Sequence, residues 1–292
     1  MTHWPAGWKP YAEVHKGDNT ITGTVLVWPK VAGDPGIPGR EICVYLPPSL
    51  ARSLAAGEGG GHGGRRYPVL YFMDGQNVFD AKTSYIGVEW AADEALEKLA
   101  EDGIEAIAVA VANHGDDRMN EYNPWRSSLK WRGRAHPTGG KGDAYLEWLV
   151  GTVKPLIDRS LPTRAERMAT GIVGSSMGGL ISLYALFAQR AVFGLAGVMS
   201  PAVAFSDYRV VALIEEAPLP PTRIHLDMGW REWRGATRDA RKVRDALLSR
   251  GFELDRDLHY VEERNARHNE AAWARRLPDA LRFLLADFRE PR

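Results

Sequence analysis

Short apolar runs alternate with amphipathic segments from Tyr67 onward, and this alternation constrains the fold more than any other feature of the chain. The runs are short enough to be strands that are buried on both faces. The predicted strands are Val69–Met73, Ile104–Ala112, Met168–Val173, Leu195–Met199 and Ile224–Met228. The predicted helices are Val88–Ala100, Asp143–Arg159, Gly179–Arg190, Thr237–Arg250 and Glu270–Phe288, the last with a kink favoured at Pro278. Such repeats predict an α/β fold with a mostly parallel sheet and helices on both faces.

The residues before Tyr67 have a different pattern of polar and apolar side chains. Thr20–Trp28 and Glu41–Leu46 show the alternation of antiparallel strands, and a Gly/Pro-rich turn separates them. Residues 55–66 are rich in glycine and predict a flexible surface loop, in which His62 is expected to be solvated. Because 292 residues suit one large α/β unit, we expect a single domain over residues 1–292.

Composition excludes several classes of protein. Lys plus Arg and Asp plus Glu both number 37, so a whole-protein field that attracts nucleic acid or an anionic membrane is absent, and we expect neither as a partner. The lone cysteine, Cys43, excludes an internal disulfide and a four-cysteine zinc site. With no secretory signal pattern and no apolar run of about 20 residues, we expect a cytoplasmic protein.

One motif carries the strongest chemical signal. Gly174–Gly178 reads GSSMG, a Gly-x-Ser-x-Gly pattern between an apolar strand and an apolar helix. In this context a sharp turn holds the middle residue, Ser176, above the sheet as a nucleophile elbow. A glycine-rich turn that packs tightly or binds a phosphate is the alternative reading of the same residues.

A serine nucleophile needs a base, and the histidines after Ser176 are the candidates. His225 and His259 lie in strand-like runs, where a packed or exposed strand position is the expected role. His268 instead lies in a polar loop before the last helix, which leaves it free to reach the carboxyl edge of the sheet. We therefore predict His268 as the base.

The acid that orients this base should leave the strand Ile224–Met228. Asp227 is still inside that strand by periodicity, whereas Glu232 lies in the turn beyond Gly229. Glu232 is the preferred acid and Asp227 the alternative.

Backbone N–H groups must stabilise the oxyanion of the tetrahedral intermediate. The residue after the nucleophile, Met177, is one expected donor. The other is Gln76, in the turn that follows the strand Val69–Met73, where Gly75 permits a sharp bend. The same residues are equally compatible with a plain turn.

Four segments together resemble an esterase family of α/β-hydrolases. The family includes enterochelin-esterase-like enzymes, feruloyl and acetyl-xylan esterases and S-formylglutathione hydrolases, with mycolyltransferases as relatives. The segments are YPVLYFMDGQNVFD (67–80), GSSMGGLISLYALF (174–187), DMGWREW (227–233) and HNEAAW (268–273). The resemblance extends over about residues 25–288. It implies the α/β-hydrolase fold and hydrolysis of a small-molecule ester.

Position by position, the resemblance implies Ser176 as nucleophile, His268 as base and Glu232 as acid. The oxyanion donors would be Gln76 and Met177. Many members have His-Gly where this chain has Asp74-Gly75, so a carboxylate beside the pocket should alter substrate preference. Other candidate pocket residues are Asn77, Tyr122, Trp125 and Ser200.

The short connection between Met199 and Pro221 leaves no room for a large helical cap, so we expect an open cleft and short-acyl or aromatic esters. Residues 113–142 are too polar and broken for regular elements, and their aromatic and arginine side chains are candidates for contacts with substrate. The candidates are Tyr122, Trp125, Trp131, Arg118, Arg126, Arg132 and Arg134. An acyltransferase with the same triad and a non-catalytic binding protein are the alternatives. We expect no cofactor and no metal, because the chain lacks His-Glu-x-x-His. Oligomeric state is left open.

Overall fold

The computed structural model describes residues 4–57, 64–127, 130–131, 134–135, 138–218 and 221–290. Within these residues the strands are β1 (Lys9–Pro10), β2 (Thr24–Val31), β3 (Arg40–Leu46), β4 (Val69–Phe72), β5 (Ile107–Val111), β6 (Lys130–Trp131), β7 (Arg134–Ala135), β8 (Thr170–Ser175), β9 (Leu195–Met199), β10 (Arg223–Gly229) and β11 (Leu258–Glu263). The α-helices are α1 (Tyr11–Val14), α2 (Pro48–Ala55), α3 (Ala92–Glu101), α4 (Arg118–Glu121), α5 (Gly142–Trp148), α6 (Lys154–Ser160), α7 (Met177–Ala188), α8 (Arg209–Glu216), α9 (Ala236–Ser249) and α10 (Glu270–Leu284).

The main sheet of the described residues has nine strands in the order β1-β2-β3-β5-β4-β8-β9-β10-β11. The pairs β1–β2, β2–β3 and β3–β5 are antiparallel, and every later pair is parallel. The prediction of a mostly parallel sheet preceded by antiparallel strands is therefore confirmed. The parallel strands all present their carboxyl ends at one edge, where ligands of open α/β sheets bind.

Alternating side chains of the antiparallel strands supply two cores, one on each face of the sheet. Val25 and Val27 of β2 pack on the face covered by α3 and α10, while Leu26 packs on the opposite face with α5 to α9. Strands β4, β5, β8 and β9 are buried on both faces, which accounts for their predominantly apolar and small residues.

The predicted helices are present with boundaries shifted by a few residues. The segment predicted as one helix over Asp143–Arg159 comprises α5, α6 and a π-helical stretch, Leu149–Val153, between them. Helix α10 continues through Pro278 and ends at Leu284, four residues before the predicted end at Phe288. Its buried side chains lie at helical spacing along one face.

The expectation that residues 113–142 lack regular elements was wrong. Helix α4 and a hairpin of β6 and β7 lie within them. Elements of two to four residues are too short to produce a recognisable hydrophobic period. Residues 58–63 of the predicted glycine-rich loop lie outside the described residues, as does Arg132.

The connection between β9 and β10 contains one short α-helix, α8, among its described residues. This helix packs against α7 and α9, and its buried side chains Val210 and Ile214 join the main core. The prediction of an α/β-hydrolase without a large cap is in accord with this connection. No described helix combines the length and the apolarity that crossing a bilayer requires.

Candidate active site

Ser176 occupies a strained turn between β8 and α7. Its φ of 58° and ψ of −118° lie outside the conformations that side chains other than glycine usually adopt. The Ser176 N–H donates to the Met199 carbonyl at 3.0 Å, and its carbonyl accepts from the Ala202 N–H at 3.0 Å. A Cβ on Gly174 would lie 2.3 Å from the Gly178 carbonyl oxygen, so the turn requires glycine there. The local sequence thus forces the Ser176 side chain into its position.

His268 connects Ser176 to Glu232. Its Nε2 lies 2.9 Å from the Ser176 hydroxyl oxygen, and its Nδ1 lies 2.7 Å from Glu232 Oε2. The rings of Trp233 and Trp273 contact the imidazole edge-on, with centroids at 5.1 and 5.0 Å. These contacts hold the ring between a hydroxyl and a carboxylate while about a third of it is exposed to the cleft.

The side chain of Glu232 is completely buried in the turn after β10. Its Oε1 accepts hydrogen bonds from the Gly229 N–H and from the Ser200 hydroxyl, each at 2.6 Å. These two donors leave Oε2 directed at His268. The predicted pocket residue Ser200 therefore lies behind Glu232 and contacts the acid rather than the cleft.

Asp227, the alternative acid, is buried inside β10 and contacts other groups. Its Oδ1 lies 3.1 Å from Arg276 Nη2 and accepts from the Ser200 N–H at 3.1 Å, while Oδ2 lies 3.0 Å from His225 Nε2. Burial raises the pKa of the Asp227 carboxyl, but Arg276 and His225 lower it by more, so it lies below its usual range. No hydrogen bond or ion pair joins Asp227 to His268.

The turn that carries Gln76 begins directly after β4 as a 3₁₀ turn, Gly75–Asn77. A Cβ on Gly75 would lie 2.5 Å from the backbone of Ala110, so only glycine lets β5 pass this close. The Gln76 and Met177 N–H groups donate to no other group in the part of the chain that is described. Both residues line cavities that also contain Ser176. Two free amides therefore lie at the rim of the site.

Asp74 has a direct counter-ion. Its carboxylate accepts from Arg118 Nε at 2.6 Å and Nη2 at 2.7 Å, and from Asn113 Nδ2 at 2.7 Å. Asp74 has a φ of 56°, and its N–H donates to the hydroxyl oxygen of Tyr122 at 3.0 Å. Tyr122 is completely buried beneath this pair, so it supports the cleft wall instead of lining the pocket.

Two cavities meet at Ser176 and His268. One, of about 480 Å³, has a wall of apolar and aromatic side chains with arginines near it; the other, of about 550 Å³, is more polar. The first is lined among others by Met119, Phe205, Tyr208, Trp233, Arg234 and Arg238. The second is lined among others by Asp74, Gln76, Asn77, Tyr85, Asp116 and Glu270. Arg118 contributes to both.

The loop aromatics predicted as pocket candidates mostly have other roles. Trp125 packs edge-on against Tyr184, with ring centroids 5.1 Å apart, and is not among the residues that line the two cavities. The side chains of Trp131 and Arg134 lie outside the described residues. Of the arginines in this segment, Arg118 reaches the cleft.

Sequence reasoning missed Phe205, Tyr208, Trp233 and Arg276. Trp233 stands next to Glu232 and could have been found by proximity to the predicted acid. Arg276 carries a detectable signal, because it interrupts the apolar face of α10 between Trp273 and Leu277. A charged residue at a core position needs a buried partner, here Asp227 at 3.1 Å.

Fold and site together define an α/β-hydrolase, and comparison with known proteins assigns the family. Residues 39–284 match the model of the family described as "Putative esterase". The chain belongs to this family and is an esterase.

The chain is also similar to a protein of Bacillus subtilis and to solved structures of other hydrolases. The uncharacterized protein YbbA of Bacillus subtilis (strain 168) is 25% identical over 252 residues, which cover 84% of this chain and 92% of YbbA. An IroE-like serine hydrolase from Shewanella oneidensis has a similar structure, with a TM-score of 0.71, 19% identity and coverage of 90% of this chain and 80% of that one. The siderophore hydrolase EstA from Aspergillus nidulans has a TM-score of 0.68, with 19% identity and coverage of 94% and 99%. At these identities the two structures show a common fold.

Proposed function

We propose that this esterase is a serine hydrolase that cleaves short-acyl or aromatic carboxylic esters through an acyl-enzyme, with Ser176, His268 and Glu232 as its triad. The observation that carries the proposal is the continuous series of contacts from the Ser176 hydroxyl through His268 to the buried Glu232 carboxylate. Each group has the chemistry its place requires, since a carboxylate accepts from Nδ1–H and thereby leaves Nε2 free to accept a proton.

In the first half-reaction the Ser176 oxygen attacks the ester carbonyl carbon, and its proton moves to His268 Nε2. The carbonyl oxygen becomes an oxyanion, for which the Gln76 and Met177 N–H groups are the proposed donors. The tetrahedral intermediate then collapses, the bond to the alcohol oxygen breaks, and His268 returns the proton to the leaving alcohol. The acyl group remains bonded to Ser176.

In the second half-reaction water replaces the alcohol. His268 Nε2 takes a proton from water as the water oxygen attacks the acyl carbon, and the same two amides stabilise the second oxyanion. Collapse breaks the bond to Ser176, which regains its proton from His268, and the carboxylic acid leaves. Glu232 stabilises the imidazolium in both halves without changing its own charge.

The shape of the cleft supports small esters. Cavities of about 480 and 550 Å³ on the two sides of Ser176 suit an acyl group and an alcohol of modest size. Phe205, Tyr208 and Trp233 offer aromatic rings to an aromatic group, and the exposed Arg234, which lines the same cavity, offers a positive charge to a phenolate or carboxylate on it. The similar protein EstA is named a siderophore hydrolase, which supports a small-molecule substrate here.

The experiment that tests this proposal measures hydrolysis of p-nitrophenyl acetate, butyrate and octanoate and of an aryl hydroxybenzoate. We expect activity on the short and aromatic esters and a loss of roughly 10³-fold or more in kcat for Ser176→Ala. Ser182→Ala is the matched control, because its hydroxyl bonds within α7 to the Gly178 carbonyl. Equal activity in Ser176→Ala would refute the mechanism, and a rate that depends on an added alcohol acceptor would identify an acyltransferase.

A further inference from the structure

Three carboxylates converge at the start of α3, on a part of the protein that the proposed reaction does not use. One oxygen from each of Glu89, Asp93 and Glu94 lies within 4.8 Å of the others. Asp93 is completely buried, and Glu89 and Glu94 are partly buried. None of the three lines the two cavities at Ser176.

Each carboxylate uses one oxygen to accept a hydrogen bond from the segment before β2. The Thr22 N–H donates to Asp93 Oδ2 at 2.6 Å, and the Thr22 hydroxyl donates to Glu94 Oε1 at 3.4 Å. The Thr20 hydroxyl donates to Glu89 Oε1. The other three oxygens, Glu89 Oε2, Asp93 Oδ1 and Glu94 Oε2, are buried and have no partner among the described residues. Buried polar atoms without partners are rare and costly, so this arrangement calls for a ligand.

The missing partner should be positive. Within the described ranges no lysine, arginine or histidine forms an ion pair with any of these three carboxylates. Negative charge on three carboxylates whose oxygens lie within 4.8 Å of one another is unfavourable unless a cation lies among them.

We propose that Glu89, Asp93 and Glu94 bind one Ca²⁺ ion through their carboxylate oxygens. A set of oxygen ligands without nitrogen or sulfur is the preference of hard cations. Three carboxylates favour Ca²⁺ over Mg²⁺, because Mg²⁺ usually keeps several waters and takes one or two carboxylates. Ligands on opposite sides of Ca²⁺ lie roughly 4.6–5.2 Å apart, a span that accommodates the observed spacing.

Such an ion would connect segments that support the cleft from behind. Thr20 bonds both Glu89 and Asp80, and Asp80 also accepts from Tyr11. The backbone N–H of Trp90, the residue after Glu89, donates to the backbone carbonyl of Asn77 at 2.8 Å, and Asn77 lies in the turn that carries Gln76. The ion would therefore chiefly stabilise the fold, with a secondary effect on this turn.

Calcium titration of the chelator-treated full-length protein tests the proposal directly. By isothermal calorimetry we expect one Ca²⁺ per chain, with a dissociation constant below about 10⁻³ M. At a Ca²⁺ concentration 100 times that constant, the melting temperature should exceed the value in EDTA by roughly 5 °C or more. Mg²⁺ at the same concentration should give a smaller shift.

Single substitutions test which residues bind the calcium ion. We expect most of the calcium-dependent rise in melting temperature to be lost in each of the variants Glu89→Gln, Glu94→Gln and Asp93→Asn. In EDTA, Glu89→Gln should have a melting temperature no lower than that of the wild type, because the substitution removes repulsion between carboxylates. Glu101→Gln, an exposed position on the same helix, should keep the full shift. If Asp93→Asn fails to fold, the two glutamate variants and the wild-type titration still test whether the carboxylates bind calcium. Absence of calcium binding in the wild type, or an unchanged shift in both glutamate variants, would overturn the proposal and leave a proton shared between Asp93 and Glu94 as the explanation.

Discussion

The imidazole Nε2 of His268 lies 2.9 Å from the hydroxyl oxygen of Ser176, although 92 positions separate the two residues in the chain. They meet because Ser176 follows β8 and His268 lies beyond β11, and both strands end at the same edge of the sheet. Glu232, after β10, reaches the same edge. The proposed triad is thus a product of parallel topology, with each member on a different connection.

Gly174 should tolerate no side chain. In Gly174→Ala the new Cβ would lie 2.3 Å from the Gly178 carbonyl oxygen, so the turn at Ser176 must shift. We expect a loss of roughly 1–3 kcal/mol in the free energy of unfolding and a loss of most esterase activity. Gly151→Ala is the control, since nothing lies within 4 Å of its Cβ position and alanine should be neutral or stabilising. Urea denaturation measures both, and equal behaviour of the two variants would contradict the description of the turn.

Glu232→Gln should impair catalysis more than it impairs folding. Glutamine keeps the size of the side chain but removes the charge that stabilises the His268 imidazolium, so we expect kcat to fall roughly 10²–10⁴-fold. Asp227→Asn should retain far more of its kcat at pH 7, because Asp227 does not contact His268. Steady-state kinetics of the two variants decides, and a larger kcat loss in Asp227→Asn would reassign the acid.

Asp227→Asn should instead lower stability, in a manner that depends on pH. Removing its charge takes the nearest of three carboxylates from the buried Arg276, whose other partners are Glu263 at 3.3 Å and Glu232 at 3.7 Å, at a cost of roughly 1–3 kcal/mol. The folded-state pKa of Asp227 is lowered, so its contribution is complete above the unfolded value of about 3.9 and is lost as pH falls through the folded pKa. The difference in unfolding free energy between wild type and variant should therefore be largest near neutral pH and shrink in acid. A constant difference from pH 7 to pH 3 would contradict this assignment.

Ser200 should act as a positioning residue for Glu232. Its hydroxyl donates to Glu232 Oε1 and accepts from Trp273 Nε1 at 3.0 Å and Arg276 Nη2 at 2.8 Å. Ser200→Ala leaves Trp273 Nε1 without its acceptor and removes one of the acceptors of Arg276 Nη2, which should cost roughly 1–3 kcal/mol of stability. We expect kcat to fall roughly 10-fold with KM nearly unchanged, because the substrate does not contact this hydroxyl. A rise in KM at constant kcat would indicate a direct role in binding.

Asp74 should set the charge preference of the cleft. In Asp74→Asn the new residue tolerates the positive φ, but Arg118 loses the carboxylate that neutralises it. The ratio of kcat/KM for an ester with an anionic acyl group to that for its neutral isostere should rise roughly five-fold, the equivalent of about 1 kcal/mol. Added salt should reduce the change. Asp143→Asn removes a charge that pairs with Tyr184, and it should leave the ratio unaltered.

The sheet and the turn at Ser176 could be predicted because each depends on local pattern, and the proposed roles of Ser176 and His268 also depend on local pattern. Apolar runs mark buried strands, and the loop before α10 separates His268 from histidines inside strands. The same patterns favoured Glu232 over Asp227 only by its position beyond Gly229, because the contacts that distinguish the two carboxylates come from Ser200 and Arg276 in distant segments.

The walls of the cleft were less predictable. Tyr122 and Trp125 were predicted as pocket residues. In the structure Tyr122 is buried beneath the cleft, and Trp125 packs against Tyr184. The convergence of Glu89, Asp93 and Glu94 was equally invisible, because acidic residues at the start of an amphipathic helix usually face solvent. Such features depend on which distant segment packs against a side chain, and the hydrophobic periodicity of a sequence does not indicate that segment.

Covalent labelling shows whether Ser176 is the nucleophile. A fluorophosphonate reacts with an activated serine and leaves an adduct that intact-mass measurement and peptide mapping locate. We predict one adduct per chain on Ser176, no adduct in Ser176→Ala, and labelling at least roughly 100-fold slower in His268→Ala. Labelling of another residue would contradict the role of Ser176 as nucleophile, and equal labelling rates in wild type and His268→Ala would contradict the role of His268 as base.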